Sequence, residues 1–328
     1  MKFLVKARAA MNDLLRFSIV TPSYNTGRHI ADAIRSVLSQ EYPNLDYLVM
    51  DGASTDDTVE VLRSFGDRIR WVSMKDGGQS DAIAKGFTQT SGQILAWLNA
   101  DDVLAPGALQ TVAEFFAATP DVDLVYGDAT YIDAGGKEIG RCVHVEPFSS
   151  KRLSRYSDFI VQPAAFFRRS AYDAVGGLDP NLHYGMDYDL WLKLARAHKI
   201  VYLPKRLASY RWLTDNKTAA GGFRRLDELR ELTARHGLDE PAFLRLERIN
   251  LLIRESFRSL RTGSMRRSIL SAGHALGTFV TSPRAMRSML QPHTWRIIWM
   301  GQVLREGAAR AQRRCNREPD EPFTPARV

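Results

Sequence analysis

Apolar and polar positions along the first third of the chain follow two periods. Four short apolar runs, Phe17–Thr21, Leu45–Asp51, Ile69–Met74 and Ile94–Asn99, have the length and continuity of strands buried on both faces of a parallel sheet. Between them the spacing changes to three and four. Ile30, Ala33, Ile34, Val37 and Leu38 make one helical face, as do Val59, Leu62 and Phe65, and then Ile83, Ala84 and Phe87. This βαβαβαβ alternation predicts an α/β, doubly wound, mostly parallel central sheet with helices on both faces and right-handed crossovers. Leu124–Tyr126, Ile139–Val145 and Phe159–Phe167 read as further strands, with a turn at Gly135-Gly136.

Polar residues gather where each of the first strands ends: Pro22-Ser23-Tyr24-Asn25, Asp51-Gly52-Ala53-Ser54-Thr55-Asp56, Lys75-Asp76 and Asn99-Ala100-Asp101-Asp102. Turn chemistry explains any one of these sets. Together they fall at one sheet edge, outside the carboxyl ends of the strands, where open α/β sheets bind ligands. No GxGxxG follows the first strand and no GxxxxGK[ST] occurs, so dinucleotide and P-loop binding lack their signatures. Carboxylates beside a diphosphate require a cation between them, which makes Asp101 and Asp102 candidate Mg²⁺ or Mn²⁺ ligands. The alternative for Asp102 is to cap a helix opening near Pro106.

Composition leaves this picture intact, since 45% hydrophobic and 25% charged residues over 328 positions describe a globular protein with a sizeable core. No apolar run is long enough to span a bilayer. The opening MKFLVKARAAMNDLLRF lacks a continuous apolar stretch, so a cytoplasmic location is expected. Cys142 and Cys315 are too far apart in sequence to suggest a zinc site or a disulfide framework. Charge does change the picture. Residues 241–328 hold 16 Arg, no Lys and 6 acidic residues, a net +10, which leaves −2 for residues 1–240. The chain thus divides into a lead segment 1–16, a body 17–236, a helical basic extension 237–316 and a tail 317–328 expected to fray. In the extension, Leu244, Ile249, Leu251, Leu252, Ile253 and Phe257 alternate with Arg245, Arg248, Arg254 and Arg258, and Trp295–Met300 forms a second apolar patch. Such helices suit an anionic membrane surface on the inner face, reached through residues 241–328, or ordinary packing against the body. No nucleic-acid-binding motif accompanies the charge, and no nucleic-acid partner is expected.

In order, FSIVTPSYN, QEYPNLDYLVMDGASTDDT, DGGQSDAIAKG, GQILAWLNADD and QPAAFFRRSAYDAVGGLDPNLHYGMDYDLWLKLA resemble the family 2 glycosyltransferases, over about residues 17–218. The resemblance implies a GT-A fold and inverting sugar transfer from a nucleoside-diphosphate sugar, with a nucleotide-binding part at about 17–128 and an acceptor part at about 129–218. Carried over to this chain, Thr21, Pro22 and Tyr24 frame the base, and Asp51 accepts from base or ribose. Asp56 shapes the same pocket or caps the following helix. Gln79, Asp81 and Lys85 pass beneath the donor, although Asp81 and Lys85 also form an i,i+4 ion pair. Asn99-Ala100-Asp101 takes the place of the family's Asp-x-Asp. An amide is a poorer metal ligand than a carboxylate, so the Mg²⁺ or Mn²⁺ rests mainly on Asp101.

By the same resemblance Asp187 is the general base that takes the acceptor hydroxyl's proton, with Asp189 as fallback or helix cap. Trp191 reads as core, or as a stacking platform for a sugar. Many relatives carry Arg-x-His after the last strand, whereas this chain has Arg211-Trp212-Leu213. Leucine cannot ligate a cation, which weakens the metal site and leaves Arg211, Lys217 or a water to meet the leaving diphosphate. His183 lies near the acceptor region, as a surface residue or a compensating ligand. The expected setting is cell-surface polysaccharide or lipid-linked oligosaccharide assembly, with a sugar or lipid-linked sugar acceptor. The rivals are a GT-A-like nucleotidyltransferase and a non-catalytic nucleotide-sugar binder.

Overall fold

The computed structural model describes residues 14–142, 144–213 and 217–282. Most of the lead segment, the tail and the Trp295–Met300 patch lie outside the described residues.

Strand β1 (Phe17–Ser23) lies between β2 (Leu45–Asp51) and β4 (Ile94–Trp97), parallel to both, with Phe17 opposite Leu45 on one side and Ile94 on the other. Strand β3 (Arg70–Ser73) continues the parallel set beyond β2. Helices α1 (Gly27–Leu38), α2 (Thr58–Ser64) and α3 (Gln79–Thr88) make the crossovers. The chain therefore builds away from β1 and then returns to its other side, which opens a crevice at the carboxyl ends of β1 and β4. Alternate residues of β1 enter opposite cores. Phe17 and Ile19 join Ile30, Ile34 and Val37 on one face of the sheet, while Val20 joins Ile83, Phe87 and Trp97 on the other. Burial on both faces is why these strands read as unbroken apolar runs.

The second half adds β5 (Val103–Leu104), helix α4 (Ala108–Ala118), β6 (Leu124–Ile132), β7 (Glu138–Arg141), α5 (Ser150–Arg155), β8 (Ala165–Arg168) and α6 (Arg169–Ala174). Next come α7 (Met186–Ala197), β9 (Ile200–Arg211), α8 (Lys217–Ala220), α9 (Gly222–Arg235), α10 (Ala242–Arg261) and α11 (Met265–Val280). Among the described residues one sheet of nine strands results, ordered β3-β2-β1-β4-β8-β6-β9-β5 with β7 on β6. Strand β8 enters antiparallel to both β4 and β6.

Four local features differ from the sequence pattern. The strand expected at Ile139–Val145 is observed as Glu138–Arg141. The expected strand Phe159–Phe167 is cut back to Ala165–Arg168 by a 3₁₀ turn at Gln162–Ala164, because Pro163 has no N–H to give a ladder. The helix expected near Pro106 opens at Ala108, after Gly107 turns the chain with φ 71°. Strand β9 has no signature in the apolar pattern because Pro204, Lys205 and Arg206 interrupt it. Its ladder with β6 jumps from Gly127–Leu203 to Asp128–Arg206, so Pro204 and Lys205 bulge out. A Cβ on Gly127 would sit 2.5 Å from the Lys205 carbonyl oxygen, so the bulge depends on glycine there.

Candidate active site

The end of β1 and the loop after β2 are stitched together. The Asn25 N–H donates to Ser54 Oγ at 2.8 Å, and Asn25 Oδ1 accepts from the Thr55 N–H at 2.8 Å. Asp51, buried at the last position of β2, accepts from the Ser54 N–H at 3.0 Å and from Ser73 Oγ at 2.6 Å. Thr21 is buried against the Tyr47 hydroxyl, 3.0 Å away, beside the buried Pro22, while Tyr24 stands exposed at the rim. Asp56 accepts from the Thr58 N–H at 3.0 Å and the Gly27 N–H at 3.1 Å, so its carboxylate serves the first turns of both α2 and α1. The N-cap position of α2 is Asp57, so Asp56 bonds the helix start from one residue outside it.

At the end of β4 the side chains form a chain of hydrogen bonds. Lys217 Nζ donates to Gln79 Oε1 at 3.0 Å, and Gln79 Nε2 donates to Asn99 Oδ1 at 2.7 Å. Asn99 Nδ2 then donates to Asp102 Oδ2 and to Gln162 Oε1, both at 3.1 Å, and Gln162 Nε2 closes on the Trp97 carbonyl at 2.7 Å. The amide of Asn99 is thus spent on positioning. Asp102 is 1% exposed and also accepts the Arg211 N–H at 2.9 Å, so it neither caps a helix nor faces the crevice. Burial, and then the neighbouring charge of Asp101, raise the Asp102 carboxyl well above the usual carboxylate range. Asp101, by contrast, is only half-buried at this turn.

Arg211 is 1% exposed. Its Nε donates to the Asp101 carbonyl at 2.8 Å, Nη1 to the Asp133 and Ala134 carbonyls at 3.0 Å, and Nη2 to Asp32 at 3.0 Å. A guanidinium so committed has no face left for a diphosphate, and the reading of Arg211 as a diphosphate ligand gives way to one of a clamp beneath the Asp101 turn. Leu213 is half-buried next to it. Trp191, fully buried, stacks on Trp97 with centroids 5.8 Å apart, which removes it as a sugar platform. Asp189 is 6% exposed, hydrogen-bonded to His236 Nε2 at 2.7 Å and ion-paired to Lys193 at 2.6 Å. Burial works upward on Asp189, but these two partners outweigh it and hold the carboxyl low, as suits a tie between α7 and the end of α9 rather than a base.

Asp187 occupies a different setting. It lies half-buried in the first turn of α7, accepting the Tyr188 N–H at 2.8 Å. Burial raises its pKa, against the opposing pull of that N–H and of the nearby Arg225 and Lys217 charges. Asp158 shares this neighbourhood and is raised further, by burial and then by Asp187 itself. Arg225 grips Glu247 of α10 through Nη1, at 2.7 and 2.6 Å. The loop leading into α7 is held by one carboxylate: Glu228 of α9 accepts the N–H groups of His183, Tyr184 and Gly185 at 3.0, 2.6 and 2.9 Å. Gly185 fits there because α9 comes so close, and a Cβ would meet Leu229 at 2.6 Å. Burial lowers the Lys217 pKa, with Glu228 and then Asp187 pulling upward.

Between the two halves lies a cleft of about 430 Å³, lined by Gly77, Gly78, Gln79 and Asp81 on one wall and by Pro180, Asn181, Leu182 and His183 on the other. Asp81 is fixed in it by Lys85 Nζ at 2.6 Å and the Gly77 N–H at 2.8 Å, which hold its pKa low. Asp158, Gln162, Arg225, Glu228 and Glu247 are functional candidates that sequence reasoning missed. Gln162 sits within a recognised motif, whereas the others read as ordinary charges on helices or in a loop.

Among the described residues no three or more His, Cys, Asp or Glu side chains gather to hold a metal ion. At the β4 turn one carboxylate, Asp102, is sealed in and only Asp101 is half-buried, a donor set that fits a cation only where other ligands, such as substrate phosphates, supply most of its oxygens.

Residues 18–176 match the family model of Glycosyl transferase family 2. An uncharacterized glycosyltransferase of Rickettsia prowazekii is 28% identical over 56% of this chain and 60% of its own length. Chondroitin synthase of Escherichia coli is 27% identical over 57% of this chain and 28% of its own. The chain thus spans only 28 to 60% of the length of these relatives. Among solved structures, S. aureus TarS with UDP-GlcNAc superposes with TM-score 0.57 at 14% identity, over 79% of this chain and 91% of that one. A mannosyltransferase from Pyrobaculum calidifontis with GDP-Man and Mn²⁺ gives 0.55 at 17% identity, over 94% and 90%. The fold is that of the GT-A glycosyltransferases. Over residues 18–176 the chain is thus similar in sequence to the family 2 glycosyl transferases.

Proposed function

We infer that the protein transfers a sugar from a nucleoside diphosphate to a hydroxyl acceptor by a single in-line displacement that inverts the anomeric carbon. One observation carries this reading. The bridge from Lys217 through Gln79 to Asn99 links the strand-end turn that carries Asp101 to a lysine whose charge acts on Asp187, a carboxyl of raised pKa, and this supports a diphosphate-side carboxylate and a base working on one substrate. Asp187 takes the acceptor hydroxyl's proton as the new oxygen–C1 bond forms, while the C1–oxygen bond to the diphosphate breaks and the diphosphate leaves with the electron pair. Lys217 supplies positive charge on the leaving side, since the Arg211 guanidinium is consumed beneath the turn. A divalent cation, when bound, would be held by Asp101 and would offset charge on the diphosphate.

The UDP-sugar and GDP-sugar complexes of the structural neighbours support a nucleotide-sugar donor. The chondroitin synthase likeness supports growth of a polysaccharide or lipid-linked glycan as the setting. The test is release of nucleoside diphosphate from a panel of UDP-, GDP-, dTDP- and CDP-sugars with sugar acceptors, with and without Mn²⁺. Nucleoside-diphosphate release with inverted product supports the reading. Pyrophosphate release from a nucleoside triphosphate would replace it with nucleotidyl transfer, and tight nucleotide binding without turnover on any acceptor would replace it with a binding protein.

A further inference from the structure

The hairpin of α10 and α11 carries an apolar face that none of the described residues covers. Its two helices run antiparallel, as the Ser256–Ser268 contact (Oγ–Oγ 2.9 Å) and the Arg245–Ser282 contact (3.1 Å) show. They bury only a small cluster of their own, Ile249, Leu252 and Ala275. On α10, Ile253, Phe257 and Leu260 each follow by one position a residue turned toward α11 or buried: Leu252, Ser256 and Ser259. On α11, Ile269, Leu276 and Val280 follow Ser268, Ala275 and Phe279 in the same way. One position is a rotation of about 100° around a helix, and equal rotations in antiparallel neighbours turn to the same side. The two stripes therefore form one continuous face, on which Phe257, Ile269 and Leu276 are 65, 64 and 65% exposed.

The charges beside that face have one sign. Residues 242–282 contain seven arginines, no lysine and two glutamates, and Arg254, Arg258 and Arg261 stand exposed one further step around α10. Glu247 is committed to Arg225, and Glu255 is half-buried. We propose that this face seats on a membrane surface rich in anionic phospholipid, with the apolar stripes in the headgroup and acyl boundary and the arginines on the lipid phosphates. A second copy of the chain would bring the same arginines together with no acidic residue to meet them. A nucleic acid would leave the apolar centre of the face without a partner. Because Glu247 on the same helix holds Arg225 beside Asp187, docking would set the proposed acceptor side close to the bilayer. That consequence alone rests on the proposed transfer reaction, whereas lipid binding does not.

The experiment is co-sedimentation of the full chain, without donor or acceptor, with vesicles of phosphatidylcholine alone or mixed with phosphatidylglycerol. Binding to the mixed vesicles and not to phosphatidylcholine is expected. Arg254→Gln with Arg258→Gln should weaken partitioning roughly 30-fold, taking about fivefold for each arginine. Phe257→Ser with Ile269→Ser should weaken it by about tenfold or more while the melting curve stays unchanged, since both side chains are largely exposed. No binding to the mixed vesicles, or binding that both double variants leave intact, would overturn the proposal. So would a dimer in light scattering that the Phe257→Ser, Ile269→Ser variant dissolves, because it would assign the face to a second copy.

Discussion

Replacing Arg211 by methionine tests whether this side chain is a clamp or a ligand. The substitution keeps an unbranched apolar stem and the main-chain N–H that bonds Asp102, but it removes the Nε contact to Asp101, two Nη1 contacts to the Asp133 and Ala134 carbonyls and the Nη2 pair with Asp32. Hydrogen bonds from a charged donor contribute about 1.5–3 kcal/mol each. The Asp32 pair counts for little because Asp32 is 47% exposed on its side. The Asp133 and Ala134 carbonyls lie beside an exposed turn and can regain water, so only part of their contribution is lost. A net destabilisation of about 3–5 kcal/mol follows, the range found when one partner of a buried charged network is removed. Urea unfolding followed by tryptophan fluorescence measures it, with nucleoside-diphosphate binding measured in parallel under native conditions. A loss below about 1 kcal/mol accompanied by a large loss of nucleotide affinity would refute the clamp and return the guanidinium to the diphosphate.

Asp187→Asn should abolish transfer, by about 10²-fold or more for a lost general base, while nucleotide affinity measured by thermal shift stays within a factor of two or so. Because only the ionised Asp187 accepts a proton and its pKa is raised, wild-type activity should climb with pH through a step above the ordinary carboxylate range, readable in kcat against pH. Glu228→Gln keeps the shape but weakens the acceptor for three main-chain N–H groups, and should raise KM for the acceptor severalfold with a smaller effect on donor binding. Asn99→Asp sets a carboxylate against Asp102 and removes the donor to Gln162. A lower melting temperature at neutral pH is expected, partly recovered by Mn²⁺ with nucleotide, and equal melting with and without the metal would count against a cation at this turn.

The crevice was legible because its parts follow strands buried on both faces, whose unbroken apolar runs announce themselves and whose ends must turn with polar residues. Asp51, Asn99 and Asp101 were placed by that logic alone. Roles were less legible than places. Arg211 ends a strand hidden by Pro204–Arg206, so nothing in the local pattern distinguishes a buried clamp from an exposed diphosphate ligand. Asp187 and Asp189 are two apart on one helix and look equivalent in sequence. Their difference comes from His236 and Lys193, which bond and pair with Asp189 and hold its carboxyl low, and from burial, which raises Asp187. Arg225, Glu228 and Glu247 sit on amphipathic helices, where charge ordinarily means solvent, and their partners lie on other elements.

Those same contacts change where the body ends. A boundary after residue 236 follows the shift in charge, yet Leu244 of α10 is fully buried with Leu226, Leu229, Tyr188 and Trp191, and the Phe243 N–H donates to the Tyr156 carbonyl at 3.1 Å. Glu247 then neutralises Arg225, which otherwise would stand in a poorly solvated setting next to two carboxylates of raised pKa. Deleting residues 241–328 is therefore a poor test of the arginine-rich extension. It would strip the cover from α7 and α9 and release Arg225 toward Asp187, which stabilises the ionised form and moves the activity step to lower pH even where transfer survives. Glu247→Gln isolates that effect. The variant should shift the kcat–pH step downward and leave vesicle binding unchanged, whereas a loss of vesicle binding with an unmoved pH step would show that α10 serves the surface alone and has no hold on the base.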